Sequence, residues 1–183
     1  MIGPVVIDRR RVLAGGGALV VSFALGDAFA EDQAAQPPAP KPAGSLATAP
    51  YLDAWIRIDA DGSITVFTGK AELGQGFKTA FQQIAAEELD VSFASLKVVT
   101  ADTQRTADEG YTSGSNSMKQ SGTAIQNAAA QARQLLIRQA AWWFNQPVEN
   151  LKTENGAVSA PDGERIDYGE LVAGNLLHVQ ARP

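Results

Sequence analysis

The chain has 183 residues, a formal net charge of −5 and a pI ≈ 4.9, values that fit one acidic domain of ordinary size. It contains no cysteine, which excludes disulfides, thiolate metal sites, iron–sulfur ligation and cysteine nucleophiles within this sequence. Its one histidine, His178, leaves little room for a histidine metal cluster or a Ser-His-Asp triad. The acidic balance argues against a nucleic-acid-binding protein.

The first 30 residues have the pattern of an export signal. Arg9–Arg11 form a basic start, Val12–Leu25 an apolar stretch, and Ala28-Phe29-Ala30 a small-residue cleavage motif. Paired arginines with Leu13 three residues after Arg10 resemble a twin-arginine signal. We therefore predict periplasmic export by the twin-arginine route, which carries folded proteins. An ordinary secretory signal with chance arginines is the alternative.

A tether and then a folded domain follow the signal. Residues 31–49 are rich in Ala and Pro and have almost no large apolar side chains, which predicts a semi-extended linker. Residues 50–183 carry the patterns of a folded domain. Two strands are predicted at Ala54–Ile58 and Ser63–Thr68, joined by an Asp-Gly turn.

The remaining elements predict an α+β fold. A helix is expected from about Phe77 to Leu89, a strand within residues 95–102, and a second helix from about Met118 to Phe144 that ends before Pro147. A hairpin around Asn155-Gly156 and a short helix over residues 168–173 complete the order. This order predicts a small mixed sheet with two main helices packed on one face.

Two loops suggest a binding site. Gly74-Gln75-Gly76 precedes the first helix, where glycines permit close approach and a bare helix N-terminus offers N–H groups to an anion. The alternative is a tight turn in which Gln75 hydrogen-bonds its own loop. The second loop precedes the second helix and carries hydroxyl and amide side chains that suit an oxyanion such as phosphate: Thr112, Ser113, Gly114, Ser115, Asn116 and Ser117. A polar loop with one helix-capping residue is its alternative.

Other polar and aromatic residues have simpler interpretations. Lys78 and Lys119 are expected to face solvent, and His178 to be a tail residue and not a ligand. We expect the side chains of Trp142 and Trp143 to pack within the fold or to lie in an interface with a partner. Three acidic residues suggest oxygen ligands, but their spacing fits no calcium loop and a solvated loop is expected: Asp102, Asp108 and Glu109.

Three segments together resemble a known family: GKAELGQGFKTAFQQIAAEELDV, LKVVTADT and DEGYTSGSNSMKQSGTAI. They are similar to the molybdopterin-binding large subunit of the xanthine dehydrogenase/aldehyde oxidase family. The closer similarity is to its isoquinoline 1-oxidoreductase, nicotinate dehydrogenase and membrane-associated aldehyde dehydrogenase branch. The resemblance covers residues 51 to about 182 and rests on an ordered pair of loops.

The resemblance implies a molybdenum cofactor, molybdopterin, carried as its cytosine dinucleotide. It places Gln75, between Gly74 and Gly76, at the oxo group of the molybdenum. It gives the second loop the role of wrapping the pterin and its phosphate through Thr112, Gly114, Ser115, Asn116 and Ser117. The reaction implied is oxidation of aldehydes or N-heteroaromatic compounds with oxygen from water.

The resemblance also implies partners. They are the rest of the molybdopterin subunit, a [2Fe-2S] subunit and a cytochrome c subunit, through which the protein would associate with the membrane. Family members are several times longer, and no Gly-x-Gly-Glu motif for their general base occurs here; Glu164 and Glu170 are expected in a hairpin and a surface helix. We therefore expect a separately encoded or truncated N-terminal piece without catalytic residues, inactive alone. A non-catalytic assembly module without cofactor is the alternative.

Overall fold

The computed structural model describes residues 40–172 and 176–183. The predicted export signal, residues 1–30, lies outside the described residues, as does the predicted linker up to residue 39. The expected end of the last helix, Ala173, lies outside them as well. Residues Pro40–Pro183 form a compact unit.

The first sheet is mixed, as predicted, and has the order β1-β2-β3. Strand β1 (Ile56–Ile58) pairs antiparallel with β2 (Ile64–Thr68), and β2 pairs parallel with β3 (Leu96–Thr100). A parallel pair needs a long crossover, and helix α1 (Phe77–Leu89) supplies it. All five residues of β2 are buried, because β2 is the central strand of this sheet.

The two main helices begin close to the predicted positions. Helix α1 buries Phe77, Phe81, Ala85 and Leu89, which share one face because they are four residues apart. The second helix starts with a π-helical turn, Ser117–Gly122, and continues as α2, Thr123–Phe144. Its buried face consists largely of alanine, and this permits close packing against α1.

A second sheet was not predicted as a separate unit. The expected hairpin around Asn155-Gly156 exists as β4 (Lys152–Glu154) and β5 (Ala157–Ser159), but a third antiparallel strand, β6 (Arg165–Asp167), extends it. Only Ile166 of β6 is buried, so the sequence offers too short an apolar pattern to reveal the strand. Helix α3, Tyr168–Leu171, follows directly. The α+β class is confirmed.

In the part of the chain that the structure describes, 3-10 turns at Gly44–Ala47 and Leu52–Ala54 precede β1, and further ones lie at Phe93–Ser95 and Val148–Asn150. The predicted linker end at residue 49 was wrong, because Leu46 in the first of these turns is fully buried in the core. Glu164 and Glu170 are both exposed, Glu164 beside the β5–β6 turn and Glu170 in α3. Within the described residues, none of the helices has the length and apolar character that crossing a membrane requires.

The phenol of Tyr168 ties the second sheet to the first helix. Its hydroxyl donates a 2.8 Å hydrogen bond to the carbonyl of Leu89, the last residue of α1. That carbonyl is one of the backbone acceptors that a helix end leaves without an internal partner. Tyr168 is 1% exposed, and its burial raises the pKa of the hydroxyl, so the phenol stays neutral and acts as a donor.

We expect Tyr168→Phe to lower the free energy of unfolding by about 1–2 kcal/mol, because a buried carbonyl loses its donor while the ring volume is kept. Urea denaturation measures the change. Tyr111→Phe is the matched control, since Tyr111 is 92% exposed and the same atom is removed. Equal stability of the two variants would contradict the role of the hydroxyl.

Candidate functional site

The glycine loop joins β2 to α1, and a carboxylate caps the helix that follows. Glu72 accepts hydrogen bonds from the backbone N–H groups of Gly74 (2.8 Å), Gly76 (3.0 Å) and Lys78 (2.9 Å). These bonds, that from Lys78 most of all, hold the pKa of Glu72 below its ordinary value. The expectation of a bare helix N-terminus was therefore wrong, because Glu72 already occupies the anion position.

Gln75 is hydrogen-bonded within its own loop. Its Oε1 accepts from the backbone N–H of Leu73 at 2.6 Å, and its Nε2 donates to the carbonyl of Ala71 at 2.9 Å. Gly74 and Gly76 have φ of 97° and 82°, values that favour glycine and let the chain turn sharply on both sides. This geometry is that of the tight-turn alternative. The assignment of Gln75 to the cofactor stays a prediction.

The second loop is fastened to the first through Thr112. Its hydroxyl oxygen accepts a 2.8 Å hydrogen bond from the backbone N–H of Ala71. Beyond it, Gly114 and Ser115 have φ of 62° and 60°, and the turn is closed by the N–H of Asn116, which donates to the carbonyl of Ser113. The turn exposes the side chains of Ser113 and Ser115 next to the glycine loop.

The two loops together form a groove of ≈ 570 Å³. The glycine loop and the start of α1 form one wall, and the loop and π-helical turn before α2 form the other. Gly74 and Asn116 lie in these loops but do not line the groove. Six of the eight residues predicted to bind a cofactor do line it: Gln75, Gly76, Thr112, Gly114, Ser115 and Ser117.

A buried lysine, Lys70, holds the segment before the second loop in place, and the sequence analysis did not identify it. Lys70 is 1% exposed, and its ammonium donates to the backbone carbonyls of Glu109 and Tyr111, the latter at 3.0 Å. A buried ammonium requires such partners, since leaving it without acceptors costs several kcal/mol. Lys70 follows a strand and a glycine, but no signal in the sequence distinguishes it from an exposed lysine. Lys78 and Lys119 are exposed as predicted.

Glu109 was expected in a solvated loop, and this was wrong. Its Oε2 accepts from the hydroxyl of Thr68 (2.6 Å) and the N–H of Gly69 (2.8 Å), and its Oε1 accepts from the hydroxyl of Ser121 (2.5 Å). One carboxylate thus joins the end of β2 to the π-helical turn before α2. Gly69 must be glycine, because a Cβ there would lie 2.1 Å from the carbonyl oxygen of Ala107.

The other two acidic residues of that segment follow the solvated interpretation. Asp108 is exposed, and Asp102 pairs with Arg105 at 2.7 Å, a bond that lowers the pKa of Asp102. No group of three or more metal-ligating side chains occurs within residues 40–172 and 176–183. His178 is bound to Asp53, with 2.8 Å between Nδ1 and Oδ2, and Tyr51 stacks on its ring.

Comparisons with known proteins show the family of this chain. A family model described as a molybdopterin cofactor-binding domain matches residues 9–182. The chain is 34% identical over 176 residues to a subunit of nicotinate dehydrogenase from Pseudomonas putida, covering 94% of this chain and 14% of that protein. It is 32% identical over 180 residues to the beta subunit of isoquinoline 1-oxidoreductase from Brevundimonas diminuta, covering 91% and 22%.

Solved structures give the same result. Quinoline 2-oxidoreductase from Pseudomonas putida 86 superposes with a TM-score of 0.54 at 27% identity, over 63% of this chain and 15% of that one. Reconstituted CO dehydrogenase from Oligotropha carboxidovorans gives a TM-score of 0.56 at 25% identity over the same shares. The chain belongs to the family of molybdopterin cofactor-binding domains. It is part of a molybdopterin-binding subunit of the xanthine dehydrogenase family. It spans about a seventh to a fifth of the curated relatives named here.

We expect Lys70→Met to lower the free energy of unfolding by about 2–4 kcal/mol, because two loop carbonyls lose their donor. The side chain volume is nearly kept, so the effect reports the ammonium. Lys78→Met is the matched control at an exposed position. Chemical denaturation measures both, and a Lys70 variant as stable as its control would refute the structural role of the ammonium.

The lowered pKa of Glu72 predicts a pH dependence. Its stabilising contribution is complete above the unfolded-state pKa of about 4.3 and disappears as the pH falls through the lower folded-state pKa. Wild type should therefore be more stable than Glu72→Gln at pH 7, and the difference should shrink toward pH 3. Thermal denaturation across this range measures it. Glu87→Gln, which removes an exposed carboxylate from the last turns of α1, should show no such convergence.

Proposed function

We propose that this chain is the N-terminal cofactor-binding part of an exported molybdenum hydroxylase that oxidises aldehydes or N-heteroaromatic compounds. The observation that carries the proposal is the groove in which two separate loops meet, in a chain of the molybdopterin-binding family. The names of the relatives support the substrate class, because they include a nicotinate dehydrogenase, an isoquinoline oxidoreductase and a membrane-bound aldehyde dehydrogenase.

The donors of the groove fit an anionic pterin cofactor. Ser115 and Ser117 line it with hydroxyl groups that accept or donate hydrogen bonds, and Gly114 brings backbone close without a side chain. Phosphate oxygens are suitable acceptors for such hydroxyl and N–H donors. Thr112 would act differently, because its hydroxyl already accepts from Ala71 and keeps the loops together.

Gln75 would turn toward the metal end of the cofactor. To do so, its amide must release the N–H of Leu73 and the carbonyl of Ala71, both of which are exposed enough to be solvated. The net cost of exchanging two such bonds is small, about 1 kcal/mol each. When bound, the molybdenum cofactor supplies the redox chemistry and the transfer of oxygen from water; the protein supplies binding, orientation and electrostatics.

We further propose the cytosine dinucleotide form of the cofactor and export by the twin-arginine route. The arginines at positions 9–11 and the small residues before position 31 support this route. Electrons would leave through an iron–sulfur subunit, because this chain has no cysteine to hold a cluster. The rest of a molybdopterin subunit and a cytochrome c subunit would complete the periplasmic complex and bring it to the membrane.

Molybdenum content tests the proposal directly. The chain is co-produced with the remaining molybdopterin-binding polypeptide and the iron–sulfur subunit, and metal is measured by mass spectrometry on the purified complex. We expect near-stoichiometric molybdenum in wild type. The double variant Ser115→Ala/Ser117→Ala should lose about tenfold in cofactor content, since two hydrogen bonds to an anion are removed.

The matched control is Ser92→Ala/Ser159→Ala, which removes two hydroxyls outside the groove. It should keep the full metal content. A wild-type complex without molybdenum would support the alternative of a non-catalytic assembly module. Equal metal in both double variants would refute the assignment of the second loop, residues 112–117, which is called the serine loop below.

A further inference from the structure

A second cavity, of ≈ 360 Å³, lies between α2 and the C-terminal segment 177–183. Leu52, Leu135 and Val179 line it with apolar side chains, and the exposed Arg138 and Arg182 line it as well. It is separate from the groove of the candidate site, which lies at the N-terminal end of α2.

The walls of this cavity are fixed by hydrogen bonds. The N–H of Leu52 donates to the carbonyl of Val179 at 3.0 Å, which holds the tail against the start of the domain. Gln131 clamps the tail from the other side: its Nε2 donates to the carbonyl of Arg182 (3.1 Å), and its Oε1 accepts from the N–H of Arg182 (2.8 Å). The cavity is therefore a built feature and does not depend on the position of one loose side chain.

The side chains that line it carry charge of one sign. None of the described residues that line it is acidic, and both arginines are exposed. The ion pairs among the described residues involve other basic groups, so Arg138 and Arg182 have no carboxylate within 4.0 Å there. Two guanidinium groups that line one cavity without an ion-pair partner among the described residues attract anions, and their planar shape suits carboxylates.

An exposed tryptophan continues the same surface. Gln131, Leu135, Arg138 and Trp142 follow one another at three- or four-residue steps, which places them on one face of α2. Trp142 is 76% exposed, although large aromatic side chains are commonly buried or covered by partners. The surface thus combines an apolar lining, two positive charges and one aromatic ring, the composition that is enriched at protein interfaces.

We propose that this cavity and Trp142 bind an acidic polypeptide segment that also carries an aliphatic side chain. The carboxylates would pair with Arg138 and Arg182, and the aliphatic side chain would lie against the apolar lining. The glutamine side chain of Gln134, on the cavity wall, can satisfy main-chain groups of such a segment. A concave shape of this size favours a peptide over a flat lipid surface.

Synthetic peptides test the proposal on the full chain by isothermal titration calorimetry. The probe is acetyl-Glu-Leu-Glu-Leu-amide, and its uncharged counterpart is acetyl-Gln-Leu-Gln-Leu-amide. We expect the acidic peptide to bind at least tenfold more tightly, with an affinity that falls as salt is added. Arg138→Gln/Arg182→Gln should remove this preference, and Trp142→Ala should weaken binding.

The matched control variant is Arg57→Gln/Arg165→Gln, which neutralises two exposed arginines that already pair with acidic residues. It should bind the acidic peptide as wild type does. Equal binding of both peptides, no binding of either, or full affinity in the Arg138/Arg182 variant would overturn the proposal. Arginine-dependent binding to phosphatidylserine vesicles without peptide binding would overturn it in favour of a membrane surface. None of these results depends on molybdenum content, so the proposed function is tested separately.

Discussion

The arrangement of the site depends on one constraint, the need of the buried ammonium of Lys70 and the half-buried carboxylate of Glu109 for hydrogen-bond partners. Lys70 satisfies its ammonium with carbonyls of the segment before the serine loop. Glu109 satisfies its carboxylate with the end of β2 and with Ser121 before α2. Because charged groups withdrawn from water require such bonds, these contacts hold the loop that carries Thr112 and Ser115 against the sheet.

The two loops differ in how much bonding capacity they keep. The glycine loop is internally satisfied, since Glu72 takes the N–H groups at the start of α1 and Gln75 bonds to its own backbone. The serine loop is tied at Thr112 and directs other polar side chains into the groove. The glycine loop therefore serves mainly as rigid support, and the serine loop offers the polar side chains that remain available to a ligand.

Much of the fold could be predicted because its signals are local. Phe77, Phe81 and Leu89 repeat at helical spacing, and α1 has the predicted bounds. Strand β6 and the second sheet were missed, because Arg165–Asp167 buries one side chain and its pairing with β5 is a tertiary choice. The π-helical form of the turn before α2 was missed too, as its sequence suits an ordinary helix.

The sequence by itself determined the class of fold, the order of the elements up to the first hairpin after α2, and the two loops in which the candidate site lies. Local spacing, turn residues and a family resemblance are all properties of short segments. Only the tertiary structure decided that Lys70 is buried, that Glu109 joins β2 to the turn before α2, that Glu72 caps α1, and that Arg138 and Arg182 share a cavity. Most of these facts depend on contacts between residues that are distant in the sequence. Composition and local periodicity do not specify such contacts.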